Sequence, residues 1–147
     1  MILHFNYEEL TALRSGARVF LEREEPSRGA VLASAAERDR VEALLLRLDG
    51  DISFSTLAEV RSVEATVGVI VECLRIEMDS LVVTTHAADE EAIAAYFDFA
   101  HGFSVAHRLG EIALEMEALI EIVSGTSPTA EAVTSFQFPD SFHLRER

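Results

Sequence analysis

Apolar residues recur every three or four positions along most of this chain, and polar residues that cap helices stand where the runs begin. Leu10, Leu13, Ala17, Phe20 and Leu21 form the first run. Asn6 and Glu9 are spaced as the N-cap and N3 residues of a capping box, in which each side chain bonds the other residue's backbone N–H. Phe5 and Leu10 stand where a hydrophobic staple would fix the entry of the chain, so a helix is predicted from near Tyr7. Pro26 and Gly29 end it. Ser34 and Glu37 repeat the capping pair ahead of Val41, Leu44, Leu45 and Leu48. That predicts a short amphipathic helix with Arg38, Arg40 and Arg47 on its wet side and Gly50 at the left-handed C′ position.

The stretch from Thr56 to Leu81 is rich in Val and Ile, the composition of strands. Its apolar residues nevertheless fall at Val60, Val63, Val67, Ile70, Val71, Leu74, Met78 and Leu81, steps of about 3.5 residues rather than alternation, and this predicts a helix. Gly68 lies on the opposite face with Arg61, Ala65, Glu72, Arg75 and Asp79. It weakens the helix by about 1 kcal/mol relative to Ala unless another backbone approaches there.

Asp89, Glu90 and Glu91 suit the positive end of a helix dipole and open a helix predicted to run to Val123, closed by Ser124 and Gly125. At about 35 residues it is long for one domain, and apolar nearly all the way round. Phe99, Phe103, Ala106, Gly110, Ala113 and Ile120 line one face, with Ile93, Phe97, Ala100 and Ile122 on another. The small residues Ala106, Gly110 and Ala113 let a second helix approach closely. A helix with this much apolar surface is predicted to be central or shared between subunits, making the protein a homo-oligomer with Phe99, Phe103, Ala106, Gly110 and Ala113 at the seam. Ser127 as N-cap and Pro128 at N1 predict one more short helix. The expected fold is all-α: a single domain over residues 1–147, a bundle of four main helices with a short C-terminal helix, and an extended tail, loose over 136–147.

Charge narrows the functional classes. The chain carries a formal net charge of −14, and its second half from Asp51 to Gly125 sets fourteen carboxylates against Arg61, Arg75 and Arg108. Such a surface repels phosphate backbones and anionic lipid, so neither nucleic acid nor a membrane is an expected partner. The acidic half either stands in solvent or faces something cationic. All twelve basic residues are Arg, which excludes Schiff-base and other lysine chemistry. The longest uncharged apolar run, Ala65–Val71, is far short of the roughly 20 residues a bilayer demands. With no basic, then apolar leader at the start and a lone Cys73, the expected compartment is the cytoplasm.

The densest chemistry lies in Asp98–Arg108. At helical spacing Asp98, His101, Arg108, Glu111 and Glu115 share one arc, so Asp98 could orient His101 while Arg108 holds an anionic ligand. The plainer alternative is a polar stripe in which Arg108 pairs with Glu111 or Glu115. Asp98-x-x-His101 approaches the acid-x-x-His pattern of carboxylate-bridged metal bundles, with Glu72 within reach on the preceding helix. No second such pair exists, and His107 points about 120° from His101, so no metal is expected. No phosphate loop, dinucleotide fingerprint or nucleophile elbow occurs, and no cofactor is expected. Three functions fit these features. The first is a non-catalytic helical assembly or adaptor protein acting through protein–protein contacts. The alternative is a small ligand-binding bundle or enzyme centred on Asp98, His101 and Arg108. The third is an acidic mimic of nucleic acid.

Overall fold

The Asn6 capping box forms as its spacing requires. Asn6 Oδ1 accepts from the Glu9 N–H at 2.8 Å and Glu9 Oε2 accepts from the Asn6 N–H at 3.1 Å, so α1 (Tyr7–Glu22) begins at the expected residue. The computed structural model describes residues 1–23, 35–85, 89–125 and 129–138. After α1 come α2 (Ala35–Arg47), α3 (Leu57–Thr85), α4 (Glu90–Ser124) and α5 (Ala130–Ser135). Over the described residues the chain is all-α, a helical bundle with four main helices and a short fifth. Within the described residues no helix is long and apolar enough to cross a membrane.

The Val-rich segment is helical throughout, and Val60, Val63, Val67, Ile70, Val71 and Leu74 are all buried. Its start is fixed by a second capping box that the apolar pattern did not reveal. Thr56 Oγ1 accepts from the Glu59 N–H at 3.3 Å while Glu59 Oε2 accepts from the Thr56 N–H at 3.3 Å and the Ser55 N–H at 2.6 Å. Arg61 of α3 pairs with Glu117 of α4, and a Cβ on Gly102 would lie 3.1 Å from Leu74 Cδ1. The early part of one helix therefore meets the late part of the other, and α3 and α4 form an antiparallel hairpin. The cap of α4 is also as predicted, with Gly125 left-handed at φ 69° and its N–H bonded to the Glu121 carbonyl.

Helix α1 lies across this hairpin at Gly16, where an added Cβ would stand 2.7 Å from Ile70 Cγ2 and 2.8 Å from Leu74 Cγ. Only a residue without a side chain permits that approach. Arg38 of α2 donates to the Leu21 carbonyl at 2.7 Å, satisfying an orphan acceptor in the last turn of α1. Arg38 is therefore half-buried at a helix junction rather than on the wet side of α2.

Three local expectations change. Gly50 does not take a left-handed cap: α2 ends at Arg47 and the chain runs into a two-residue strand, β2 (Ile52–Ser53), antiparallel to β1 (Ile2–Leu3) with Leu3 opposite Ile52. Strands this short carry no periodicity to read. The N-cap of α5 is Thr129, whose Oγ1 accepts from the Ala132 N–H at 3.1 Å; the expected Ser127 and Pro128 lie outside the described residues, as does Ser34 of the second predicted capping box. The tail is anchored where it begins, because Phe138 is buried and its N–H donates to the Ser55 carbonyl at 2.9 Å.

Two glycines of opposite consequence give the first test. A Cβ on Gly68 meets nothing within 4 Å, so Gly68→Ala removes a helix-interior glycine at no steric cost. Urea denaturation should show a gain of up to about 1 kcal/mol for Gly68→Ala and a loss for Gly16→Ala, where Ile70 and Leu74 must move aside. A gain at Gly16 would mean that α1 does not sit against α3 as described.

Candidate functional site

The polar groups of the Asp98–Arg108 stretch do not converge on one site. Arg108 turns towards the start of the chain. Its Nη2 bonds Glu9 Oε2 at 2.6 Å and its Nη1 bonds the His4 carbonyl at 2.8 Å. It pairs with neither Glu111 nor Glu115, and its guanidinium is engaged rather than open to an anionic ligand. The partner lies 99 positions away in sequence, so helical spacing within α4 could not have pointed to it.

Glu9 is the centre of this arrangement. Its carboxylate closes the α1 capping box and accepts the Arg108 bond at the same oxygen, while its side chain is 7% exposed. A buried carboxylate is tolerated only when paired and hydrogen-bonded, and both conditions are met. Next to it His4 Nδ1 lies 2.7 Å from Asp51 Oδ2, and the Phe5 N–H donates to Asp51 Oδ1 at 3.4 Å. The segment before α1 is thus clamped from both sides, by Arg108 of α4 and by Asp51 beside β2. Arg108 Nε is buried with no hydrogen-bond partner, a cost that two charge-assisted bonds from the same guanidinium offset.

Asp98 lies on the core-facing side of α4, in register with buried Val105, Leu109 and Met116. Towards the start of α4 that face opens into a cleft of about 320 Å³ between α1, α3 and α4, lined by Val19, Leu74, Ala94 and Ala95 with Glu77, Glu91 and Asp98. Burial pushes the Asp98 carboxyl above the ordinary aspartate range, partly opposed by His101. His101 does not line the cleft, and no hydrogen bond joins it to Asp98 among the described residues. Cys73 at the cleft is buried, and desolvation raises its thiol, which suits packing rather than nucleophilic work. Among the described residues no group of three His, Cys, Asp or Glu side chains is placed to hold a metal ion. Glu111 lies on the outside of α4, 3.6 Å from His107.

The predicted seam residues separate as well. Ala113 is fully buried in the chain's own core, Phe99 and Ala106 pack against that core, and Gly110 faces the Glu64 carboxylate of α3. The small-residue track thus serves the α3–α4 hairpin. Phe103 alone of the five is exposed, and it belongs to a second row on the outer face of α4. Ile93, Phe97, Ala100, Ser104, His107, Glu111, Leu114 and Ala118 follow one another at alternating steps of four and three, with Tyr96 and Phe103 alongside. Tyr96, Phe97 and Phe103 are each more than half exposed. Tyr96 and Phe97 meet edge-on at 5.9 Å, and Phe103 packs on Phe99 at 6.0 Å, so the rings form a ledge on the outer side of the helix.

Two consequences of this geometry are measurable. Arg108→Met leaves the Glu9 carboxylate buried with only the Asn6 N–H, and unfolding free energy should fall by about 3 kcal/mol, the lower end for breaking a buried pair because Arg108 is partly solvated. Adding Glu9→Gln, which keeps the capping box and removes the charge, should recover part of that loss; equal losses in the single and double variants would show that the pair is not coupled. For Asp98 the sign follows from a raised folded-state value. The folded chain holds the proton more tightly than the unfolded one, so stability falls as pH climbs from the ordinary aspartate value through the raised one. Asp98→Asn should therefore be more stable than wild type at neutral pH, by less than about 1 kcal/mol, with the difference vanishing below the ordinary aspartate range; a destabilised variant at neutral pH would show that the carboxylate is held by a partner.

No family model matches the sequence, and no curated protein or solved structure matches it.

Proposed function

We propose that the chain is a non-catalytic helical assembly or adaptor protein that acts through protein–protein contacts made on the outer face of α4. The observation that carries this is the aromatic ledge of Tyr96, Phe97 and Phe103, exposed on a helix whose opposite side already fills the core. Burial of Val105, Leu109, Met116 and Ile120 accounts for the fold; the three rings, more than half exposed across the outer arc of the helix, lie outside that row. Contiguous apolar surface of this kind marks contact sites, and aromatic residues are enriched at the centres of interfaces. A homo-oligomer built on this face is the simplest such assembly, and a cytoplasmic setting belongs to the same proposal.

A second function, a small-ligand-binding bundle or enzyme centred on Asp98, His101 and Arg108, is favoured by the cleft against Asp98. It loses two of its three residues, since Arg108 is bonded to Glu9 and His101 stands outside the cleft.

The contact face is tested by a Phe97→Ser, Phe103→Ser double variant, measured for unfolding free energy in dilute solution and for mass by light scattering at raised salt, where repulsion between chains of net charge −14 is screened. The wild-type mass should rise with concentration, while the variant stays monomeric with stability unchanged to within about 0.5 kcal/mol. A wild type that stays monomeric, paired with a destabilised variant, would assign the rings to the fold and overturn the proposal.

A further inference from the structure

Resting on the outer face of α4 as a contact surface, we infer that its preferred occupant is a cationic amphipathic helix of another protein, apolar on one face and flanked by Arg or Lys, rather than a second copy of this chain. Area and charge together select that partner. Three rings each a little over half exposed offer on the order of 300 Å² of apolar surface, well below the roughly 800 Å² per partner of a stable interface. The remainder of any contact must be made further along the same outer face, where the carboxylates Glu111, Glu115 and Glu121 stand.

Along α4 stand Glu90, Glu91, Asp98, Glu111, Glu115, Glu117 and Glu121 against the single cation Arg108. The cations of the hairpin are already committed: Arg108 to Glu9, Arg61 to Glu64 and Glu117, and Arg75 to Glu72 and Asp79. Of the carboxylates on the outer side, Glu111 and Glu121, and Glu115 beside them, have no arginine partner among the described residues. A second copy brings no uncommitted cation of its own hairpin to meet these carboxylates, and sets two chains of net charge −14 in contact. A helix with Leu or Met at i, i+3, i+4 and i+7 and basic flanks places apolar anchors on the ledge and cations against Glu111, Glu115 and Glu121, the arrangement of helix-in-groove recognition. From Ile93 to Glu121 the contact runs roughly 40 Å along the axis, so such a helix needs about eight turns, with its apolar anchors over the ledge and its cations over the later carboxylates.

The probe is a fluorescent synthetic peptide of leucine and arginine patterned as one amphipathic helix, with two controls: the same composition scrambled to destroy the apolar face, and the pattern kept with glutamate for arginine. Binding is measured by anisotropy on the full chain at low and raised salt, with light scattering of the unliganded protein alongside. The patterned peptide should bind at least about tenfold more tightly than either control and weaken about tenfold as salt is raised. Phe97→Ser with Phe103→Ser should reduce binding about tenfold with helical circular dichroism unchanged, and Glu111→Gln with Glu115→Gln should flatten the salt dependence. Equal binding of the scrambled peptide, or full binding to the ring variant, would reduce the effect to bulk charge and overturn the inference. Pairing of two copies through the ledge at low salt, undisplaced by the peptide, would overturn it while leaving α4 a contact surface. No peptide binding and no self-association at any salt would overturn both.

Discussion

A helix of 35 residues can be sealed only by neighbours of comparable length, and here one exists: α3 has 29 residues, while α1 and α2 have 16 and 13. At 1.5 Å per residue α4 runs roughly 50 Å and α1 about half of that. The features of interest are consequences of this mismatch. Where α1 lies over the hairpin, at Gly16 against Ile70 and Leu74, the core is closed. Beside the last turns of α1, at Ser15 and Val19, the same core-facing row of α4 opens into the cleft at Asp98. On the far side no described helix covers α4, and Phe97 and Phe103 face solvent.

The clamp at Glu9 fixes where the short helix sits along the long one. A capping box by itself sets only the first turn of α1. Because Glu9 also accepts from Arg108, that turn is tied to a particular level of α4, and the His4–Asp51 contact and the β1–β2 pairing tie the preceding residues to the segment between α2 and α3. Hydrophobic packing is non-directional, so a smooth helix face can slide by a turn at little cost; a buried carboxylate with one acceptable cation cannot. The polar residue that looked most like a ligand-binding group is the one that sets register.

Local periodicity carried most of the fold into the sequence. Asn6 and Glu9, the 3.5-residue rows of α3 and the Gly125 cap each involve residues within a few positions of one another, and each is where the spacing put it. What escaped was set by contacts across the chain. Two-residue strands exist because residues 1–3 and 52–54 meet, Phe138 is buried because Ser55 offers a carbonyl, and Arg108 found Glu9 rather than a neighbour on its own helix. On α4 the apolar residues surround the axis, so composition alone could not tell the row that packs inward from the one left outside. Ala106, Gly110 and Ala113 read equally well as an interface between subunits or between α3 and α4, and only the position of Glu64 and the burial of Ala113 assign them to the second.

The central claim is that α4 is two-faced, sealed by its own chain along Val105, Leu109, Met116 and Ile120 and bare along Tyr96, Phe97 and Phe103. Hydroxyl-radical footprinting of dilute protein, read residue by residue by mass spectrometry, tests it directly. Tyr96, Phe97 and Phe103 should be oxidised rapidly, while Met116, intrinsically the most reactive of these side chains, stays protected in the folded state. Rapid oxidation of Met116 together with protection of the three rings would place the opposite face of α4 in the core and contradict the account.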